Sequence, residues 1–403
     1  MLVAIGRCLG GAAALAALAA SAALVLPAST PAATVDVVET LQYSGTATLR
    51  LTATPGEHND VSIRIAERVG DGVYRLTVIE RGAPLETGPG CTGGGQPGVP
   101  AICTMHEQNV KELCLKGCPP PQPGESWSTA IVAQLGDGDN TFLAPGFDQG
   151  DDVPMLVSGG PGVDRYATGA GYDELDPGIG ADEVHAGAGA DTVFATPAPD
   201  EHDRYNLGAS PERAYDEPGD VLDYSQRTLA VVCRLSACGS GSESDTVQGV
   251  ESIVGGSGGD TLEGGPGRDL LEGGTGDDLL AGQGERDVLH GGPGDDVLRG
   301  GDAADQLHGG EQDDTAFGGG GDDRINERDF YGAGADFAWG GTGADTIMLA
   351  AGDDFLFGGP GDDRLGGGRD EDVVTCGRGA EDTVVFPARD ALQACELLAS
   401  RRR

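Results

Sequence analysis

Lysine is nearly missing from this 403-residue chain, which holds only Lys111 and Lys116. A phosphate-cradling loop of the Gly-Lys-Ser/Thr kind is therefore excluded, because its chemistry needs a lysine beside the glycines. Basic residues are scarce altogether: 25 Lys+Arg stand against 66 Asp+Glu, a formal net charge of −41. Nucleic acid and anionic membrane would be repelled, so neither nucleic-acid binding nor membrane insertion is expected, and cations are the natural partner. Aromatics amount to only 5% of the chain, too few for one large core. Among six histidines none completes a zinc-protease helix, since HEQNV at 106–110 lacks the second His four residues on. GGSGG at 255–259 matches a nucleophilic-serine pattern by letters alone, and it lies in Gly-rich text without the strand-to-helix elbow that activates such a serine. Acidic pairs are so abundant that none stands out as a general acid and base. The expectation is a protein that is not an enzyme. The alternative, a secreted hydrolase or epimerase, would have to place its catalysis in the N-terminal region.

Beyond the first 33 residues no apolar run is long enough to span a bilayer. Within them, Arg7 precedes an Ala/Leu-rich run over residues 9–26 and then PASTPAA, the form of a cleaved export signal. A secreted, extracellular protein is expected. Of nine cysteines, Cys8 leaves with that signal and eight remain, an even set suited to disulfides. Their clustering suggests local bridges: two among Cys91, Cys103, Cys114 and Cys118, one joining Cys233 to Cys238, and one joining Cys376 to Cys395. CLKGC at 114–118 as half a zinc site is the weaker reading, because only His106 offers a further ligand nearby.

Glycine is abundant instead, 71 residues in all. Residues 34–134 contain little of the regularity seen later. There VSIRIAE and VYRLTVIE alternate apolar and polar residues around a GDG turn, which predicts a small β-rich domain containing disulfides. From residue 135 a nine-residue phrase takes over, G-G-x-G-x-D-x-U-x with U apolar. LGDGDNTFL at 135–143 is a degenerate first copy, with Asn140 in the acid position. Four contiguous copies fill 159–194, eight fill 255–326 and five fill 331–375. All seventeen keep aspartate sixth: Asp164, Asp173, Asp182, Asp191, Asp260, Asp269, Asp278, Asp287, Asp296, Asp305, Asp314, Asp323, Asp336, Asp345, Asp354, Asp363 and Asp372. A disordered acidic tail would let aspartate drift relative to glycine, and here it does not. Glycines permit a tight turn and leave carbonyls uncovered. The three residues after the aspartate form a short strand with U facing inward. One copy can bury nothing alone, so the copies must stack into a parallel β-solenoid whose core is the row of U side chains.

GGPGRDLLE, GGTGDDLLA, GGPGDDVLR and GGPGDDRLG resemble the repeats-in-toxin (RTX), or hemolysin-type calcium-binding, nonapeptide family. The resemblance implies an all-β, right-handed parallel β-roll with two nonapeptides per coil. Multiple Ca²⁺ ions would lie between turns on the same side of successive coils, held by the seventeen sixth-position aspartates and by GGxGx carbonyls. Independently of the family, Ca²⁺ seeks six to eight oxygens of these two kinds. Aspartates two copies apart should then pair, Asp269 with Asp287 and Asp278 with Asp296. Glu285, Ala303, Gln312 and Asp370 stand where glycine is expected, which questions the turns around Asp287, Asp305, Asp314 and Asp372. Fifth-position acids such as Asp277 and Asp295 should point outward.

The expected organisation is a signal peptide at 1–33, the N-terminal β-rich domain at 34–134, a first roll segment at 135–194, an insertion with a β-hairpin at 195–254 packing beside the roll, the main roll at 255–385 and a helical cap at 386–403. The cap rests on helically spaced apolar residues in DALQACELLASRRR, with Asp390 as N-cap. With so much negative charge and so thin a core, the roll should fold only when cations bind. The function expected is a secreted calcium-binding structural or interaction protein, with an extracellular-matrix, cell-surface or self-association partner.

Overall fold

The computed structural model describes residues 33–40, 46–52, 59–70, 73–81, 85–87, 91–98, 100–106, 129–144, 154–198, 200–208, 219–234, 236–326, 334–379, 381–385, 391–393 and 395. Among these every regular element is a β-strand. The nonapeptide explains why. Gly-rich turns reverse the chain, and the D-x-U-x end of each copy is too short for a helix but long enough for three residues of strand.

Successive copies go to opposite faces. Leu270–Glu272 pairs in parallel with Val288–Pro293, placing Leu271 beside Leu289, while Leu279–Gln283 pairs with Val297–Asp302, placing Leu280 beside Leu298. Two copies therefore make one coil, and the stack runs to about 12 turns. One face is a continuous sheet of 16 strands. Between the faces lies a single file of buried side chains from each, including Leu175, Val193, Leu222, Leu271, Leu289 and Leu307 on one side and Val184, Leu262, Leu280, Leu298 and Leu356 on the other. Each fully buried Leu contributes about 1.5–3 kcal/mol, and the core is only two side chains thick.

The N-terminal strands are built onto this stack. Asp60–Gly70 and Val73–Glu80 form the expected antiparallel pair, and Asp60–Gly70 also runs parallel to Thr141–Leu143. Thr46–Thr52 and Thr129–Gln134 extend the opposite face in parallel register. Cys91 is disulfide-bonded. Residues 1–32 of the expected export signal at 1–33, CLKGC and the HEQNV residues after His106 lie outside the described residues. No helix among the described residues is long and apolar enough to cross a membrane.

The segment 195–254, read from the sequence as packing beside the roll, instead supplies strands to it. Arg204–Asn206 follows Glu183–His185 on one face, and Val221–Asp223 follows Thr192–Phe194 on the other. The hairpin is present as an outgrowth of this path: Val232–Arg234, Ala237–Cys238 and Asp245–Gln248 pair antiparallel, and the Cys233–Cys238 bridge ties them.

The helical cap needs correction. Ala391–Gln393, in its middle, is a strand pairing in parallel with Val373–Gly377, with Leu392 beside Val374. An open parallel edge offers unsatisfied backbone groups in extended register, and DALQ repeats the D-x-U-x phrase, so tertiary pairing overrides helical spacing. The Cys376–Cys395 bridge closes this last coil as expected. Asp390 and residues 396–403 lie outside the described residues.

Candidate metal centre

All seventeen sixth-position aspartates are buried. Each stands at the last position of a turn, just before the strand begins. From Asp164 through Asp363, the backbone N–H of each donates to Oδ1 of the aspartate one coil further on: Asp260 to Asp278 at 2.6 Å, Asp269 to Asp287 at 2.9 Å, Asp278 to Asp296 at 2.8 Å and Asp296 to Asp314 at 2.9 Å. Aspartates two copies apart, which the sequence pairs through an ion, are thus neighbours linked by a backbone hydrogen bond. Asp269 and Asp278 precede strands of different faces and belong to different ladders.

The ladders also run where the nonapeptide fails. Asp314 N–H reaches Asp336 at 2.8 Å across a spacing of 22 residues, so the extra residues between 326 and 334 leave the register intact. Asn59 N–H donates to Asn140 Oδ1, Asn140 to Asp164, Asp182 to Asp203 and Asp203 to Asp245 on one side. Asp191 donates to Asp220 on the other, and Asp363 to Asp382 at the far end. Asp203, Asp220, Asp245 and Asp382 were missed by the nine-residue pattern. Their signal was present in DRYN, DVLD, DTVQ and DTVV, which keep D-x-U-x and lack only the glycines.

Asp260 and Asp269 use Oδ2 to accept the Gly256 and Gly265 N–H groups, at 2.6 and 2.7 Å, but in most of the others Oδ1 is engaged and Oδ2 is not. In Asp278, Asp287, Asp296, Asp305, Asp314, Asp323, Asp336, Asp345, Asp354 and Asp363 it is shut from solvent with no hydrogen-bond partner. Burial drives the acidities upward, to about 7 for Asp278, about 8 for Asp287 and about 8 for Asp314. The backbone N–H bond opposes the shift, and neighbouring aspartates of the same ladder add to it. A row of buried like charges with one oxygen each unsatisfied requires either protons or cations.

The glycines show what fills the space beside those oxygens. A Cβ on Gly273 would clash with Asp278 Oδ2 and stand 2.8 Å from the Gly291 carbonyl oxygen, and on Gly291 it would meet Asp296 Oδ2 and, at 2.7 Å, the Gly309 carbonyl oxygen. Carboxylate and carbonyl oxygens of adjacent coils therefore converge on a cradle that a side chain would block. Among the described residues no three His, Cys, Asp or Glu side chains gather into a metal cage, as expected if half the donors are carbonyls. An all-oxygen donor set with carboxylates suits a hard dication such as Ca²⁺.

The irregular turns keep a positive φ without reproducing the glycine value. Ala303, Gln312 and Asp370 sit at 75°, 83° and 75°, where Gly276, Gly294 and Gly343 at the same position take 123°, 149° and 134°, and in the copy holding Glu285 the positive φ falls at its second residue, Gln283, at 86°. Fifth-position acids are exposed as expected, and they also bond between coils: Asp295 N–H donates to Asp277 Oδ1 at 3.1 Å and Asp313 N–H to Asp295 Oδ1 at 3.2 Å. This outer ladder runs in the opposite sense to the inner one, so each coil is clamped from both directions.

One step of the stack has a cation of its own. Arg227, in the turn 224–231, is 1% exposed. Its guanidinium donates to the Thr196 carbonyl in the preceding turn on that side and bidentately to Glu243 at 2.6 and 2.8 Å. Glu243 Oε2 also accepts the Ser240 N–H at 2.9 Å. A guanidinium thus bridges two turns where elsewhere only oxygens face each other.

No curated protein matches the chain. The model of the RTX calcium-binding nonapeptide repeat matches residues 158–193, 245–280, 254–289, 282–316, 290–325, 332–355 and 339–374, the same stretches in which the aspartate ladders and glycine cradles recur. The chain therefore carries multiple copies of the RTX calcium-binding nonapeptide repeat across residues 158–374.

Proposed function

We propose that the protein is a secreted, non-enzymatic calcium-binding module that folds as it binds multiple Ca²⁺ ions and then serves as an extracellular structural or interaction element. The observation that carries this reading is the row of buried Asp Oδ2 atoms without partners, of which those of Asp278, Asp296, Asp305 and Asp323 lie beside a carbonyl of the next coil. The sixth-position aspartates would hold the ions, with turn carbonyls completing the oxygen shell. Calcium supplies charge neutralisation there, and the binding free energy becomes folding free energy, because an unfolded chain has no such cradles. The export-signal form of residues 1–33 and the disulfides Cys233–Cys238 and Cys376–Cys395 support the extracellular part of the reading.

Calcium titration by calorimetry, with circular dichroism in chelator and in millimolar calcium, tests it. The expected result is uptake of several ions per chain together with a gain of β signal. A spectrum unchanged by chelator, or uptake of no calcium, overturns it.

A further inference from the structure

Between the glycine-lined coils at 159–194 and those from 255 onward, the stack passes through coils whose buried carboxylates find partners inside the chain. On one side the aspartate ladder runs from Asp182 through Asp203 to Asp245 and stops, and the next begins at Asp260, whose Oδ1 accepts the Val231 N–H at 2.7 Å. Tyr205, the inward residue of DRYN, donates its hydroxyl to Asp203 Oδ2 at 2.6 Å, and Tyr224 donates to Asp245 Oδ2 at 2.9 Å. Tyr224 follows DVLD at the place where the regular copies have their first glycine, and its side chain is fully buried where a cradle would stand open. The Arg227 guanidinium lies 5.2 Å from the centre of the Tyr224 ring. Its bidentate partner Glu243 also accepts the Asp200 N–H through Oε1, at 3.3 Å. The Cys233–Cys238 bridge ties the hairpin beside this network.

We propose that the coils around Tyr205, Tyr224 and Arg227 are a calcium-independent folding nucleus, which stays structured without the ion and templates the calcium-binding coils on both sides of it. In a stack whose repeats touch only their neighbours, folding starts where a repeat's own stability is highest and spreads coil by coil. Under the calcium reading of the glycine-lined coils, on which this nucleus rests, those coils gain their stability only as ions bind. Here it comes from contacts that a chelator does not remove: hydroxyl bonds to buried carboxylates, a bidentate guanidinium–carboxylate pair and a disulfide. Each end presents strands in the register that the next coil needs. Val221–Asp223 pairs in parallel with Thr192–Phe194 on one side and with Ser252–Val254 on the other, and Ser252–Val254 in turn pairs with Leu270–Glu272.

Hydrogen exchange of the full chain at pH 7, read by mass spectrometry in millimolar calcium and in chelator, tests it. In calcium, peptides from 219–234, from 236–254 and from 273–317 should all be protected. In chelator the first two should stay protected at least about tenfold above the third. Tyr224→Phe keeps the ring, deletes the hydroxyl and leaves Asp245 Oδ2 unpaired, so it should speed exchange at 236–254 in chelator by about tenfold, with the calcium-loaded protection of 273–317 unchanged. Equal loss of protection from all three stretches in chelator, with protection in calcium, overturns the nucleus and leaves the calcium reading standing. Equal retention in chelator overturns the calcium reading and the nucleus with it. Exchange at 236–254 in chelator that is the same in Tyr224→Phe and the parent overturns the tyrosine network as the source of the stability.

Discussion

Replacing Asp314 with Asn should change stability in opposite directions with and without calcium. The carboxyl of Asp314 is buried, and its pKa is raised to about 8 by that burial and by the charges of Asp296, Asp336 and Asp295. Against an unfolded value near 3.9, holding this group in the metal-free fold at pH 7 costs about 4 kcal/mol, because it must first take up a proton. Asparagine is nearly the same shape and keeps an oxygen for the Asp296 N–H, now 2.9 Å from Oδ1. It removes the charge and the proton uptake, while its buried amide costs about 1–3 kcal/mol for want of a partner. The balance favours the metal-free fold of the variant by about 1–3 kcal/mol. With calcium the sign reverses, since the substitution deletes a charged oxygen from the cradle. In chelator, far-UV dichroism followed from pH 8 to pH 5 should show Asp314→Asn folding at a higher pH than the parent. In millimolar calcium at pH 7 its urea midpoint should be lower. A midpoint that falls or stays still in chelator would refute the reasoning, because the buried charge would then not be what destabilises the metal-free roll.

The same acidities set a wider pH dependence: Asp296, Asp305 and Asp323 are raised to about 6, Asp278, Asp345 and Asp354 to about 7, and Asp287 and Asp314 to about 8, all chiefly by burial. Folded values above unfolded ones give stability that is present below about pH 4 and lost as pH rises through 6–8, so the metal-free chain should gain β structure on acidification while calorimetric calcium affinity declines over the same range. Gly343→Ala should prevent close stacking of its coil and lower the urea midpoint in calcium, because its φ is 134° and a Cβ would run into the Gly321 carbonyl, whereas Gly267→Ala, with nothing within 4 Å, should stay within about 0.5 kcal/mol of the parent. Ala303→Gly and Gln312→Gly relieve left-handed backbone worth about 1–2 kcal/mol each, less the entropy glycine adds to the unfolded chain, and should raise the calcium-loaded melting temperature slightly. Arg227→Met leaves Glu243 buried without its ion-pair partner and should cost about 3–5 kcal/mol in calcium and in chelated acid alike, which acid-range denaturation in chelator measures directly.

The pattern of these effects also explains which parts of the molecule were legible beforehand. Seventeen aspartates could be placed in buried turns, and Asp269 and Asp278 in separate ladders, because a strict nine-residue period fixes register without any knowledge of distant contacts. Where the period lapses, two separable requirements come apart. The stack itself asks only for an inward U residue and an acid whose oxygen takes the next N–H, which DRYN at 203–206 and DVLD at 220–223 meet without glycines. Glycine is demanded by the cradle, where a side chain would occupy the space between Oδ2 and the carbonyl one coil on. Counting glycines therefore locates cradles, while counting D-x-U-x locates coils, and segment 195–254 has the second without the first. That is why it reads as an insertion and folds as a continuation. It is also where Arg227 and Glu243 supply from within the chain the opposite charge that the glycine-lined turns must take from solution. DALQ at 390–393 is the same lesson at the far end. Its helical spacing is real, but the open edge of Val373–Gly377 offers Ala391–Gln393 backbone partners and a neighbour for Leu392, and a short isolated helix would satisfy neither.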